Sequence, residues 1–270
     1  MRIVFAPMSY ETVEWQQDGG VGRITLDRPD TLNAWNEQFA HDMKAVLELA
    51  ADDGVRAVLV RGAGKGFSSG ADLKDGGLTP ADDGKPDILH ELHDNYHPVL
   101  RAVRELEKPV VAAVHGPAVG IGLSLALACD LILAAESSFM SLAFAGIGLM
   151  PDGGSTLFVP AAVGKARAFE MALLGERVPA PKALEWGLVN AVHPDDELFA
   201  EADALAERLA AGPTLSYAGS KKALNASIYG HLESQFDLEA DLQHALARTD
   251  DFVEGVMAFL QKRDPEFRGQ

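Results

Sequence analysis

The sequence predicts an α/β fold whose strands pair largely in parallel. Short apolar runs rich in Val, Ile and Leu recur along the chain, and segments with helical spacing separate them. Most of these runs are apolar throughout, which is typical of strands buried in a parallel sheet, and such strands need long helical crossovers. The predicted strands are 21–27, 55–60, 109–114, 131–134 and 188–192.

Helical spacing fills the segments between these strands. In the first helix apolar residues recur at intervals of three and four between 39 and 50, and Thr31 or Asn33 is its predicted N-cap. The segment 74–87 is rich in Gly, Pro and Asp and predicts a loop. Further helices are predicted at 88–106, 161–174, 181–186 and, with a break at 212–213, from 197 onward.

The stretch 115–130, HGPAVGIGLSLALACD, is the centre of the predicted function. It follows a buried strand, contains Gly116, Gly120 and Gly122, and continues into a run that is apolar on every side, as in a fully buried helix. A turn with almost no side chains lets a ligand approach the backbone closely. The free N–H groups at the start of the helix favour a negative oxygen there. We therefore predict an anion-stabilising site that needs no charged side chain.

Composition argues against several classes of protein. The 270 residues carry a formal net charge of −17, which disfavours nucleic acid as a partner. Cys129 is the single cysteine, so neither a disulfide framework nor a zinc–cysteine site is predicted. The N-terminus lacks a signal-peptide pattern, and the apolar tract 110–135 is interrupted by His115, Pro117 and Asp130. We expect a soluble cytoplasmic protein with no metal and no membrane partner.

Six segments, in this order, give the chain a resemblance to the crotonase (enoyl-CoA hydratase/isomerase) superfamily. The resemblance covers nearly the whole chain, and the matching segments are RPDTLNAW, GKGFSSGADL, HGPAVGIGLSLALACD, LMPDGGSTLFVP, LLGERVPAPKALEWGLVNAV and FVEGVMAFLQKRDPEF. It implies a spiral of ββα units over residues 1–196, followed by a helical region over 197–270 that serves trimer assembly. The expected assembly is a homotrimer or a dimer of trimers.

The resemblance also implies where an acyl-CoA thioester would bind. Two backbone N–H groups, those of Ala71 and Ile121, are expected to hold the thioester oxygen in an oxyanion hole. Ile121 lies in the glycine turn already predicted to stabilise an anion. The residues expected to contact the CoA part are Arg28, Ala34, Ser69, Asp72, Leu73, Gly120, Phe259 and Lys262, the last two reaching a neighbouring subunit; a structural role is favoured for Asp72. Coenzyme A enters only as part of the substrate, and no separate cofactor is expected.

The predicted reaction depends on which acidic side chains this chain has at the family's catalytic positions. Family hydratases use two glutamates, and the matching positions here are Ser124 and Phe144, so ordinary hydration is disfavoured. Asp152, in a PDGG context that resembles enoyl-CoA and epoxyphenylacetyl-CoA isomerases, is the remaining carboxylate and the expected base of a Δ3 to Δ2 double-bond shift. The alternative is that Asp152 caps the following helix. His93, Tyr96 and His97 are expected to have packing or surface roles.

Three other functions remain open at this stage. One is a hydratase with atypical catalytic residues. Another is a serine hydrolase, because Gly122–Ala126 approximates a nucleophile elbow centred on Ser124. The third is a binder that keeps the oxyanion turns without catalysis. The acyl group, which the segment 74–97 is expected to contact, is not defined by the sequence.

Overall fold

The alternation of strands and helices is observed as the sequence predicts. The computed structural model describes residues 8–74 and 85–270, so most of the loop predicted at 74–87 lies outside the described residues. The strands are β1 (Met8–Ser9), β2 (Val13–Asp18), β3 (Val21–Leu26), β4 (Ala57–Gly62), β5 (Val110–Val114), β6 (Pro117–Val119), β7 (Leu131–Ala135), β8 (Phe139–Ser141), β9 (Val178–Pro179) and β10 (Ala191–His193).

The helices separate these strands and occupy the C-terminal part of the chain. They are α1 (Glu37–Ala50), α2 (Ile88–His90), α3 (His97–Glu105), α4 (Ile121–Ala128), α5 (Ser155–Leu174), α6 (Ala180–Trp186), α7 (Leu198–Ala210), α8 (Thr214–Ile228), α9 (Leu232–Leu246) and α10 (Asp250–Gln261). A π-helix, Glu91–Tyr96, joins α2 to α3, and a 3-10 helix, Phe144–Ile147, follows β8.

Two sheets organise the molecule. The larger has the strand order β1-β2-β3-β4-β5-β7-β10, and its strands from β3 to β10 are all parallel. The smaller has the order β6-β8-β9. In successive units the first strand (β5, β7) enters the large sheet and the second (β6, β8) enters the small one. This arrangement agrees with the predicted spiral of ββα units.

Both faces of the large sheet are buried, as the apolar strands predict. In β4, Val58 and Val60 face the main core, whereas Ala57 and Leu59 face a second cluster that includes Leu198 of α7. Alternation of side chains across a strand explains this division. Because α7 packs on the sheet, the first helix beyond residue 196 belongs with the large sheet. The division of the chain at this residue stays a prediction.

Two local predictions differ from the structure. The N-cap of α1 is Asn36, whose side chain accepts a hydrogen bond from Phe39 N, and neither Thr31 nor Asn33 has this role. Asn33 instead holds the glycine turn at 62–66, because its amide donates to the carbonyl oxygens of Ala63 and Gly66. The predicted helix at 88–106 is interrupted by the π-helical turn, which a pattern of period 3.6 does not reveal.

None of the helices in the described ranges, 8–74 and 85–270, has the length and apolar composition needed to cross a bilayer. The apolar tract at 110–135 is instead divided among β5, β6, α4 and β7. His115, Gly116 and Gly120 lie between these elements and Pro117 begins β6, which is why the tract does not form one continuous helix.

Candidate active site

A short parallel pairing brings two glycine turns together. Ser68 pairs with Ala118, since Ser68 N donates to the Pro117 carbonyl and Val119 N donates to the Ser68 carbonyl, both at 3.0 Å. In a parallel pairing, residues equally far along the two strands stay side by side. Ala71 comes three residues after Ser68, and Ile121 comes three residues after Ala118, so the two residues follow the pairing at the same distance. We refer to residues 68–72 and 118–122 as the turn pair.

The local hydrogen-bond pattern leaves out the N–H groups of Ala71 and Ile121. The residues on either side of Ala71 form the hydrogen bonds to Trp35. Trp35 N donates to the Gly70 carbonyl, and Asp72 N donates to the Trp35 carbonyl, each at 2.8 Å. The N–H of Ala71 therefore points away from Trp35. Ile121 is the first residue of α4, where an N–H has no acceptor within the helix.

Glycine is required where the two turns touch. Gly70 has φ +93° and Gly120 has φ +53°, a region that side-chain-bearing residues rarely adopt. A Cβ on Gly70 would lie 2.9 Å from the Val119 carbonyl oxygen, which is closer than real Cβ contacts allow. The turn pair therefore depends on backbone-to-backbone packing that another residue at position 70 would disrupt.

Ala71 and Ile121 both line a mostly apolar cavity of about 220 Å³. Its walls come from the turn pair, the π-helix, the Phe144–Ile147 turn and the C-terminal helices α9 and α10. The lining residues are Ser69, Gly70, Ala71, Leu73, Ile88, Glu91, Leu92, Tyr96, Val119, Gly120, Ile121, Leu142, Ala143, Phe144, Gly146, Ile147, Leu149, Asp152, Gln243, Phe252 and Phe259. Among these, only two side chains, Glu91 and Asp152, are carboxylic acids.

Asp152 lies in this cavity and is almost fully buried. Its Oδ2 accepts a hydrogen bond of 2.7 Å from Gln243 Nε2, and its Oδ1 has no partner among the described residues. Burial raises the pKa of Asp152 to about 8; the Gln243 hydrogen bond acts in the opposite direction, and the charge of Glu239 adds to the rise. The result is a carboxyl group with one fixed oxygen, one unpartnered oxygen and increased basicity.

The turn that carries Asp152 packs directly on the turn pair. Gly153 has φ +60°, and a Cβ there would lie 2.5 Å from Cδ1 of Ile121. Ser124 Oγ, on α4, donates to the Asp152 carbonyl oxygen at 3.1 Å. The backbone of Asp152 is thus fixed against α4, the helix that begins at Ile121.

Helix α9 holds this turn with two side chains that the sequence analysis missed. Met150 N donates to Gln243 Oε1, so the Gln243 amide is oriented with its NH2 toward Asp152. One turn earlier on α9, Glu239 accepts hydrogen bonds from the N–H groups of Gly154 and Thr156, at 2.7 and 3.1 Å. Glu239 therefore caps α5, and the alternative in which the Asp152 side chain caps this helix is wrong.

Glu91 is the second acid of the cavity, and the sequence analysis also missed it. It is 4% exposed; its Oε2 accepts a hydrogen bond of 3.2 Å from Asn95 Nδ2, and the Tyr96 hydroxyl is a second neutral partner. Burial raises its pKa. A signal was present in the sequence, since Glu91 and Asn95 interrupt an otherwise apolar face that includes Leu92 and Tyr96.

The residues expected to contact CoA fall into three groups. Ser69, Leu73 and Gly120 line the cavity, next to the turn pair. Arg28 and Asp72 form a shielded ion pair of 2.9 Å, and an Arg28 N–H donates to the Ala34 carbonyl at 2.5 Å. This pair fastens the first turn to the segment before α1, which accords with the structural role favoured for Asp72.

The C-terminal pair is the third group. Phe259 lines the cavity of its own chain, whereas the resemblance implied contact with a neighbouring subunit. Lys262 is exposed, follows the last turn of α10 and does not line the cavity. No partner chain is described, so a role for either residue at a neighbouring subunit stays a prediction.

Ser124 and Phe144 occupy the positions of the family's glutamates without supplying an acid. The Phe144 ring lies against Gly120 and closes one wall of the cavity. Ser124 is fully buried, does not line the cavity and donates its hydroxyl hydrogen to the Asp152 carbonyl. A nucleophile must reach its substrate, so the geometry of Ser124 contradicts the serine hydrolase alternative.

Comparison with known proteins agrees with this geometry. The family model described as enoyl-CoA hydratase/isomerase matches residues 16–270. The chain belongs to the enoyl-CoA hydratase/isomerase family. The crotonase resemblance is thereby confirmed, and the protein is an enzyme of this family. In the parts of the chain that the structure describes, no group of three or more His, Cys, Asp or Glu side chains is placed to hold a metal ion.

Relatives within the family carry both hydratase and isomerase names. The chain is 42% identical to a "Probable enoyl-CoA hydratase" of Rhodobacter capsulatus, covering 97% of this chain and 100% of the relative. It is 40% identical to 1,2-epoxyphenylacetyl-CoA isomerase of Escherichia coli, covering 93% and 96%. A crystal structure of an enoyl-CoA hydratase from Mycobacterium avium subsp. paratuberculosis superposes with a TM-score of 0.86 at 43% identity, covering 96% and 100%.

Proposed function

We propose that the chain is an acyl-CoA isomerase that moves a double bond from the Δ3 to the Δ2 position. The observation that carries this proposal is the Asp152 carboxyl group, which shares one apolar cavity with the backbone N–H groups of Ala71 and Ile121 and has an unpartnered oxygen. The E. coli relative, whose name describes an acyl-CoA isomerase, supports the same reaction class.

The reaction begins when ionised Asp152 removes a proton from C2, beside the thioester carbonyl. The electron pair of the broken C–H bond moves onto the thioester oxygen and forms a dienolate. Ala71 and Ile121 donate hydrogen bonds to that oxygen, and removing one such donor from an enzyme costs about 3–4 kcal/mol. Protonation at C4 then completes the shift, because the double bond moves from C3–C4 to C2–C3.

The apolar surroundings of Asp152 favour this chemistry. A base whose pKa is near the working pH combines a useful ionised fraction with a strong pull on the proton. Burial, the main cause, raises the pKa of Asp152 to about 8. Phe144, Leu142 and Ile147 line the same cavity, where apolar side chains limit competing water.

Binding of the CoA part is assigned to residues on both sides of the turn pair. We assign Ser69, Leu73 and Gly120 to the pantetheine arm, since they line the cavity. Arg28 and Ala34 would lie near the nucleotide, with Asp72 fixing Arg28, and Phe259 and Lys262 would contact the acyl-CoA from the C-terminal helix. The proposed assembly is a homotrimer or a dimer of trimers, and the proposed location is the cytoplasm.

A hydratase is the second candidate, and Glu91 is the observation that favours it. Hydration needs one group to activate water and another to protonate carbon. Glu91 and Asp152 would supply two carboxyl groups in one cavity, although neither stands at the positions that the family's glutamates occupy. The hydratase name of the Rhodobacter relative supports the same alternative.

The test uses a 3-enoyl-CoA and a 2-enoyl-CoA, followed by the absorbance of the conjugated thioester. We expect conversion of the 3-enoyl ester without 3-hydroxyacyl product. Asp152→Asn is expected to lower that rate by about 10²–10⁴-fold while acyl-CoA binding is retained, because an amide cannot accept the C2 proton. The matched control is Asp195→Asn, which changes an aspartate that does not line the cavity.

Each contrary result would indicate either a different function or a different base. Rapid hydration of the 2-enoyl ester would replace the isomerase with the hydratase. Tight binding of both esters without turnover would indicate a non-catalytic binder. Full isomerase activity in Asp152→Asn would show that the base is another residue.

A further inference from the structure

We infer that Glu91 is a second proton-transfer residue of this cavity, which delivers a proton to C4 after Asp152 has removed one from C2. This inference rests on the proposed function and deepens it. It assigns separate carboxyl groups to the two halves of the double-bond shift, whereas a single base would have to carry the same proton from one carbon to the other.

The two carboxyl groups of the cavity are held in the same way. Each has one oxygen fixed by a side-chain amide: Gln243 donates to Asp152 Oδ2 at 2.7 Å, and Asn95 donates to Glu91 Oε2 at 3.2 Å. The other oxygen of Asp152, Oδ1, is buried and has no hydrogen-bond partner among the described residues, whereas Glu91 also interacts with the Tyr96 hydroxyl. A neutral amide orients a carboxyl group without supplying the positive charge that would keep it ionised.

The negative charges of Glu91 and Asp152 both raise the pKa of the same neighbour, Tyr96. Burial raises the pKa of the Tyr96 hydroxyl well above its usual value, and the negative charges of Glu91 and Asp152 are the next causes. The charge of Glu91 also contributes to the raised pKa of Asp152. Two carboxyl groups in one apolar cavity favour a state in which the pair retains a proton, because burial raises the pKa of both.

The local backbone explains how Glu91 comes to face the cavity. Glu91 opens the π-helix, and residues four and five positions later share its side because a π turn holds more residues than an α turn. Asn95 and Tyr96 occupy those positions, and all three side chains are buried. Single π turns occur frequently at functional sites. The Glu91 carboxyl group is held by the Asn95 amide and the Tyr96 hydroxyl, both neutral, so burial disfavours its ionised form.

The proposed step balances without an added reactant. Ionised Asp152 takes the C2 proton, and the electron pair passes to the thioester oxygen. Protonated Glu91 then gives its proton to C4, the dienolate collapses, and the double bond lies between C2 and C3. Asp152 is now protonated and Glu91 ionised. After product release, Asp152 gives its proton to water that enters the cavity, and Glu91 takes a proton from that water, which restores the starting state.

Isotope transfer in the unaltered enzyme tests the inference first. A 3-enoyl-CoA deuterated at C2 is converted in ordinary water, and the position of deuterium in the product is read by mass spectrometry and NMR. We expect protium at C4, because Glu91 carries a proton of solvent origin. Deuterium passing mainly from C2 to C4 would overturn the inference and leave Asp152 as the single carrier, with the isomerase assignment intact.

Glu91→Gln separates proton removal from proton delivery. In D2O we expect C2 exchange of the 3-enoyl substrate to continue, while isomerisation falls by about 10²-fold or more. Asp152→Asn is expected to lose both. The matched control is Glu105→Gln, which changes an exposed glutamate on α3, and thermal melts with acyl-CoA binding verify folding of each variant.

A structural role for Glu91 predicts a different pattern. Equal loss of exchange and isomerisation in Glu91→Gln, or no loss of either, would overturn the inference. If Asp152→Asn retained both reactions, the proposed function itself would fail. The two failures therefore give distinguishable results.

Discussion

Two buried aspartates beside the cavity have opposite environments. Asp72, at the end of the turn pair's first segment, forms a 2.9 Å ion pair with Arg28. Asp152, on the turn before α5, is held only by the neutral amide of Gln243 and has an unpartnered oxygen. Asp72 does not line the cavity and Asp152 does. Burial alone therefore does not identify a reactive acid; the charge of its partner does.

This difference divides the cavity into two parts with different chemistry. The turn pair contributes backbone N–H groups, and its acid serves to fasten the turn to Arg28. The other part, which we call the carboxyl wall, consists of Glu91, Asp152 and Gln243 and contributes side chains. Backbone donors cost no reorganisation during the reaction, whereas the carboxyl wall has to gain and lose protons.

The largest effect expected from the turn pair comes from removing one of its two backbone donors. Ile121→Pro deletes the N–H at the first position of α4, where proline fits the helix. We expect the isomerase rate to fall by about 10²–10³-fold, because the oxyanion loses one of its two donors. Steady-state kinetics with a 3-enoyl-CoA measure this loss.

Ile121→Val is the matched control for that variant. It keeps the N–H and removes one methylene from a side chain that touches the Gly153 turn. It is expected to retain most of the activity. A well-folded Ile121→Pro enzyme with the wild-type rate would contradict the role given to the turn pair.

The next prediction distinguishes Asp72 from Asp152 by the effect of each substitution on the stability of the protein. Asp72→Asn leaves the shielded Arg28 guanidinium without its counter-charge, so we expect the free energy of unfolding to fall by about 3 kcal/mol. Asp152→Asn is expected to leave stability at pH 8 unchanged or higher. The measurement is urea denaturation of both variants beside the wild type.

The direction in which pH changes the stability contributed by Asp152 follows from the raised pKa of its carboxyl group. The folded carboxyl titrates near pH 8 and the unfolded one near pH 4, so the unfolded chain loses its proton first as the pH rises. The stability that Asp152 contributes is complete below about pH 4 and is lost as the pH rises to about 8. Asp152→Asn is expected to remove this part of the pH dependence. A marked loss of stability at pH 8 in Asp152→Asn would contradict the comparison.

The smallest effect concerns the pH dependence of activity. A base with a pKa of about 8 makes kcat/KM rise with pH and level off above that value. Gln243→Leu removes the hydrogen bond that lowers the pKa of Asp152, so the profile is expected to move to higher pH. Gln235→Leu, on the same helix but bonded to Thr156, is the control and is expected to leave the profile in place. A shift to lower pH in Gln243→Leu would contradict the role of this amide.

The turn pair could be predicted from the sequence because its backbone geometry requires glycine. Gly70 and Gly120 mark positions where positive φ and close approach exclude other residues, and those requirements appear directly as residue types. Asp152 was found for a related reason, since it stands within a local motif beside two glycines. The strands β3, β4, β5 and β7 of the large sheet were predicted from their short, largely apolar runs, whereas β1 and the polar β2 were not predicted.

The carboxyl wall depends on tertiary contacts that local patterns do not contain. Gln243 and Glu239 reach the Asp152 turn from α9, many residues later in the chain. Glu91 faces the cavity through a π turn that has no signature in a 3.6-residue pattern. The strands of the small sheet are two or three residues long, too short for a period of two to be detected.

The most direct test of the central claim follows proton exchange at C2 of a saturated acyl-CoA in D2O by NMR. This substrate can neither isomerise nor add water, so exchange reports only whether Asp152 and the turn pair form the enolate. We predict exchange by the wild-type enzyme and its loss in Asp152→Asn with the same acyl-CoA bound. Exchange at the wild-type rate in Asp152→Asn would contradict the account.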